Sequence, residues 1–218
     1  MKRRLCIAVW CLLLTLLLSA CGETGDTISG YSTVAVSLKT PETTAPPAAL
    51  DYTDMAVIFD AVLCVMENEG CGYLPNDSTF CWRVLSAVFS RLGASGAGVE
   101  HINGISYVSP QRIVEYASAF LYLTPENAVL PPLGAGCVYG EQSDIYALPC
   151  PDYPDSEVRI NDVLEEGNGE YTAYVDWIVG DAIANRYIIT LVRNPYPQPQ
   201  DGPAFAYTIT AAGTMEKN

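Results

Sequence analysis

The chain has 218 residues, half of them hydrophobic, with 11 Lys and Arg against 25 Asp and Glu, for a net charge of −14. That much apolar surface, including three Trp, fourteen Tyr and five Phe, excludes an acidic disordered chain. So few cations exclude a protein that grips nucleic-acid phosphates, and equally a polybasic contact with anionic lipid.

Lys2, Arg3 and Arg4 open the chain, and residues 5–18 (LCIAVWCLLLTLLL) are almost unbroken apolar. A helix of that length spans about 21 Å, short of a hydrocarbon core of ~30 Å, so the run reads as the apolar part of a signal peptide and not as a membrane span. Leu18-Ser19-Ala20-Cys21-Gly22 follows. This segment resembles the lipobox of bacterial lipoproteins, with Leu three places before the Cys and small residues between. The resemblance covers residues 1–22 alone. It implies that residues 1–20 are cut away and that Cys21 carries the lipid. It also implies that the protein is held on the outer side of the cytoplasmic membrane, or at the outer membrane in a Gram-negative envelope. More than one acyl chain makes such an anchor stable. Cutting removes three cations and no acids, leaving a mature chain at −17.

Residues 21–50 are rich in Thr, Ser, Pro and Ala without a sustained period and read as a flexible tether, extended at residues 40–47. The alternative is a strand at residues 33–38 that pairs with a sheet edge. Residues 51–218 then form a single acidic domain, long enough for a proper core.

Its first half is helical. Residues 51–69 place Met55, Ile58, Phe59, Val62, Val65 and Met66 at spacings of three and four, with Gly70 as the stop. Residues 78–92 repeat the pattern with Cys81, Val84, Leu85, Val88 and Leu92, capped by Asn76, Asp77 or Ser78 and ended by Gly93. A short strand is expected at residues 104–108. Ser109-Pro110 then opens a third helix, to Leu123, burying Ile113, Ala117, Phe120 and Leu121. Residues 131–156 carry Pro and Gly throughout and read as loop.

Beyond them the apolar period falls to two. Residues 157–165, 170–179, 185–193 and 203–211 read as four strands of an antiparallel meander, with Gly167-Asn168-Gly169 as a turn. Pairing Glu165 with Glu170 across that turn sets Val158 opposite Trp177, Ile160 opposite Val175, Leu164 opposite Tyr171, and Arg159 opposite Asp176. The fold class expected is α+β, about three helices packed on a four-stranded antiparallel sheet. The order of elements, helices and then a curled sheet, resembles the cystatin-like and nuclear-transport-factor-like folds.

The residues that carry chemistry are sparse. Five Cys follow Cys21. Cys64 sits among apolar neighbours and reads as a small buried hydrophobe that stays free. Cys137 and Cys150 form the candidate disulfide, with Cys71 and Cys81 as a weaker second pair. With no CxxC and a single His, the spacing offers no metal site and implies no cofactor. A Cys–His nucleophile pair would need His101 and a Cys distant in sequence; a surface His is the plainer reading. Gly93 to Gly98 matches neither a nucleophile elbow nor a phosphate loop. Asp152, Asp155 and Glu157 read as a solvated acidic loop and not as a calcium site. Tyr139, Tyr146, Tyr153 and Tyr196 fall in Pro-rich loops, where rings either form a binding surface or pin the loops.

Two functions follow as expectations. One is a non-enzymatic binding or interaction domain, anchored to the membrane by lipid, whose partner is a glycan, a peptide or another envelope protein. The other is a hydrolase-type enzyme with a carboxylate in a pocket between sheet and helices.

Overall fold

A computed structural model describes residues 52–92, 99–197 and 205–215. The lipobox with Cys21, the tether, the alternative strand at residues 33–38 and the Gly93 to Gly98 loop lie outside the described residues. All the described residues fall in one unit, Ala48–Asn218.

Helix α1 (Thr53–Glu69) contains an unbroken run of buried residues from Ile58 to Met66. A helix apolar on nearly every side belongs inside a domain, and α1 is packed accordingly, touching helix α2 (Ser78–Leu92) and the first strand of the meander. Gly70 ends α1 with φ of 60°, a left-handed conformation in which Cys71 N–H reaches Met66 O at 3.0 Å. Of the three candidate caps, Asp77 is the one that acts: its Oδ1 accepts from Phe80 N–H at 2.7 Å.

The expected strand before the third helix is half of a hairpin. β1 (Val99–Ile102) pairs with β2 (Ile105–Val108) across Asn103-Gly104, both at positive φ, which suits the right-handed twist of a two-residue turn. The expected loop at residues 131–156 is also corrected. It contains β3 (Val138–Gly140) and β4 (Ile145–Pro149), and β4 joins β2. The result is a small antiparallel sheet of order β1-β2-β4-β3, and α2 packs on its β2 and β4 strands.

Helix α3 (Pro110–Ala117) is shorter than its apolar pattern suggests. One further turn continues to Leu121, but its carbonyls are diverted. Ser118 O accepts from Thr208 Oγ1 at 2.7 Å, Ala119 O from Ile209 N–H at 2.8 Å, and Phe120 O from Tyr73 Oη at 2.5 Å. Docking onto a sheet edge therefore replaces helix propagation, and that edge is covered in the exchange. Ile113, Ala117, Phe120 and Leu121 are all buried, as expected.

The meander has the expected strands with shifted ends: β5 (Ser156–Glu165), β6 (Glu170–Val179), β7 (Ala182–Arg193) and β8 (Tyr207–Thr214), in that spatial order. The β5–β6 register agrees with expectation for the first half only. Val158 faces Trp177, Arg159 faces Asp176 and Ile160 faces Val175. A bulge at Asn161 then shifts the pairing, so Leu164 meets Thr172 and Glu165 meets Tyr171. The α+β class holds. The second sheet, with β1 and β2 before α3 in sequence and β3 and β4 after it, departs from a simple order of helices and then one sheet.

Candidate binding groove

Three chain-distant segments meet at the covered edge of β8. Pro75 and Asn76 come from the α1–α2 connection, residues 120–123 from the turn after α3, and residues 129–132 from the segment leading to β3. With Ile209 and Thr210 of β8 they enclose a groove of about 550 Å³. That volume suits a small ligand or a few side chains of a peptide. The lining is mostly apolar, and apolar side chains stand open to water at its rim: Val129 is 72% exposed and Tyr122 64%. Leu74 and Leu133, each next in sequence to a lining proline, are exposed as well. Single exposed apolar residues are ordinary, but a cluster around a concavity marks a contact surface.

The floor of the groove is fixed by Tyr73. Its hydroxyl lies 2.5 Å from Phe120 O and 2.9 Å from Ile209 O, sharing one proton between the turn and the strand. Burial raises the pKa of this phenol, so it stays a donor. The wall is fixed by Trp82, whose Nε1 donates to Pro132 O at 2.8 Å. Behind that wall Trp82 stacks on Tyr146 at 5.3 Å between centroids, and Tyr146 meets Tyr139 at 4.7 Å.

The four tyrosines expected as a surface thus divide. Tyr139 and Tyr146 come together, half-buried, on β3 and β4, and Tyr139 Oη donates to Asp144 Oδ1 at 2.6 Å. Tyr153 lies elsewhere; it packs on the core and its hydroxyl reaches Glu69 Oε1 at 3.3 Å. Tyr196 packs on the core near Asn194, which accepts from its backbone N–H. None of the four lines the groove. The residues that do were missed because no one segment carries the signal. The nearest thing to one is Val129-Leu130-Pro131-Pro132-Leu133, an apolar run without helix or strand pattern.

The cysteines are also placed. All five in the described residues are free thiols, and the expected Cys137–Cys150 bridge is not formed. Antiparallel pairing of Val138 with Ala147 carries Cys150 two residues past the position opposite Cys137. Cys137 Sγ lies 3.6 Å from Ser86 Oγ instead, and Cys150 Sγ 3.4 Å from Ser106 Oγ. Cys71 and Cys81 are unbridged too, and Cys64 is buried in α1 as expected.

A buried carboxylate lies between sheet and helices. Asp60, on α1, borders a second cleft shared with Arg91, Asp155, Ser156 and Glu157. Burial raises its pKa, against the opposing pull of Arg91. Its two oxygens meet three neighbours. Oδ1 accepts from Ser156 Oγ at 2.7 Å and Trp177 Nε1 at 3.1 Å, and Oδ2 pairs with Arg91 Nη1 at 2.8 Å. The network ties α1, α2, β5 and β6 together. Among the described residues, no group of three or more His, Cys, Asp or Glu is placed to hold a metal ion, and no helix is long and apolar enough to cross a membrane. Comparison with protein-family models, with curated proteins and with solved structures gives no match.

Proposed function

We propose that this chain is a bacterial envelope lipoprotein, anchored through Cys21, whose domain is a binding module that takes an extended apolar segment of a partner polypeptide in the groove beside β8. The observation that carries the reading is the exposed apolar rim of Val129 and Tyr122 around that concavity. Proline walls and aromatic edges suit an extended chain, whose apolar side chains can enter the concavity and offset the cost of ordering it. With the mature chain at −17, a partner segment flanked by basic residues is favoured over an acidic one.

Two measurements test this. Metabolic labelling with a fatty acid marks the wild type and not Cys21→Ser; label that persists in the variant ends the lipoprotein reading. For the groove, an array of extended apolar peptides with basic flanks is probed with wild type, Val129→Asp and Tyr122→Ala. Capture falls about tenfold or more in both variants, corresponding to about 1.4 kcal/mol. Undiminished capture in both removes the groove from the reading, and loss on Tyr139→Ala instead moves the surface to β3 and β4. The enzyme alternative rests on Asp60, a buried carboxylate bordering a cleft between sheet and helices, but its contacts with Ser156, Trp177 and Arg91 join four elements of the fold and give it a structural role.

A further inference from the structure

The sole histidine of the sequence and a cysteine 49 positions away are brought together by the small sheet. His101 on β1 is the direct cross-strand partner of Ser106 on β2. Cys150, just past the end of β4, is held at the same place by its N–H to Gly104 O at 2.8 Å. Three polar atoms then form a chain. Cys150 Sγ lies 3.4 Å from Ser106 Oγ, Ser106 Oγ lies 3.1 Å from His101 Nδ1, and the direct Sγ to Nδ1 distance is 3.9 Å. Ser106 is fully buried, while Cys150 and His101 are half-buried. The other thiols differ. Cys64, Cys81 and Cys137 are buried, and burial raises the pKa of each. Cys71 is half-exposed, but desolvation and then Glu69 raise its pKa also. None of these four has an imidazole beside it.

We propose that Cys150 is the reactive thiol of this domain and a site of mixed-disulfide formation with low-molecular-weight disulfides, with His101 as its base and Ser106 as the relay between them. The step balances as follows. The thiol proton passes to Ser106 Oγ as the serine proton passes to His101 Nδ1. The Cys150 thiolate attacks one sulfur of the small disulfide, a new S–S bond forms, and the old one breaks. The released thiolate leaves with the electron pair and takes its proton from the imidazolium. For this, Nδ1 must be the acceptor of the neutral ring, and the ring proton sits on Nε2, which is buried and has no partner. Reactivity follows the thiolate fraction, which a neighbouring base increases.

The test is made on the full chain, with an aromatic disulfide as probe and peptide mass mapping to read each cysteine separately. At neutral pH, Cys150 reacts about tenfold or more faster than Cys71, because a positioned base takes its proton as the sulfur attacks. His101→Gln slows Cys150 by about tenfold, moves the midpoint of its rate-against-pH curve upward, and leaves Cys71 unchanged. Ser106→Ala moves the midpoint in the same direction. If Cys150 in the unaltered chain reacts no faster than Cys71, the proposal is overturned without reference to any variant. If His101→Gln folds as the wild type does, by its melting curve, and Cys150 keeps its rate and midpoint, His101 is not the base and the proposal fails.

Discussion

The indole of Trp82 donates to the carbonyl of Pro132 at 2.8 Å, so a side chain sealed in the core holds the wall of an exposed groove. Trp82→Phe keeps the ring and removes the donor. Pro132 is exposed and its carbonyl can turn to water, so the stability cost is about 1 kcal/mol. Trp82→Ala removes the ring as well and costs about 3–5 kcal/mol. The expected signature of Trp82→Phe is a small fall in urea midpoint with a larger fall in peptide capture. Capture unchanged beside a lowered midpoint would separate the indole from the groove.

Asp60 and Arg91 make the second prediction. Removing the carboxylate with Asp60→Ala leaves Arg91, Ser156 and Trp177 without their shared acceptor, and costs about 3–5 kcal/mol. The sign of the pH effect is fixed by the raised pKa. The folded state holds the Asp60 proton more tightly than the unfolded state, where the value is about 3.9. Its contribution is therefore fully present below that value and is lost as pH rises through the folded pKa. Urea midpoints of wild type and Asp60→Asn, compared from pH 4 upward, should show a decline in the wild type that the variant lacks. Parallel curves would mean that Asp60 titrates alike in both states.

The bulge at Asn161 makes the third. It turns Leu164 outward, 44% exposed, and sets Val163 against the core. Leu164→Ala should stay within about 0.5 kcal/mol of wild type, as surface changes do, whereas Val163→Ala costs more, about 1 kcal/mol. The unbulged register requires the reverse order. Deleting Asn161 would remove the bulge and leave a continuous ladder in which Leu164 still faces Thr172 and Val163 still faces Ala173, so the order of the two costs should persist.

This bulge also shows how far the sequence could be read. Alternation along β6 and β7 marks the meander plainly, because one face of each strand meets the core and the other does not. The apolar stripe of residues 51–69 likewise finds α1 from local spacing. A one-residue insertion such as Asn161 leaves no local mark, and flips every side chain beyond it. The small sheet escaped notice because β3 is three residues long and exists through its pairing with β4. The Cys150–His101 contact depends on that sheet, and the groove on the turn after α3. They join residues far apart in sequence, where periodicity carries no information.

Asp176 makes the last prediction. On the outer face of β6 it accepts from Arg159 Nη2 at 2.6 Å and from Arg186 Nε at 3.1 Å, one guanidinium from each neighbouring strand. The hydrogen bond from Arg159 is the main cause that lowers its pKa. Both arginines are well exposed, at 58% and 63%, so solvent screens each pair and either single Ala substitution should cost no more than about 1 kcal/mol. Together they should not add. The remaining arginine compensates each single loss, but the double variant leaves Asp176 covered with no cation and only the Asn161 side chain as partner, so its cost exceeds the sum of the two. The pH dependence has the opposite sign to that of Asp60. A lowered folded pKa gives stability that is present above the unfolded value of about 3.9 and is lost as pH falls through the folded one. The double variant should therefore lose less stability than the wild type on acidification below pH 4. An NMR titration of the Asp176 carboxyl supplies the direct check. A midpoint no lower than that of an ordinary aspartate in the wild type, or one that stays put when both arginines are removed, would show that the two guanidiniums do not hold the charge.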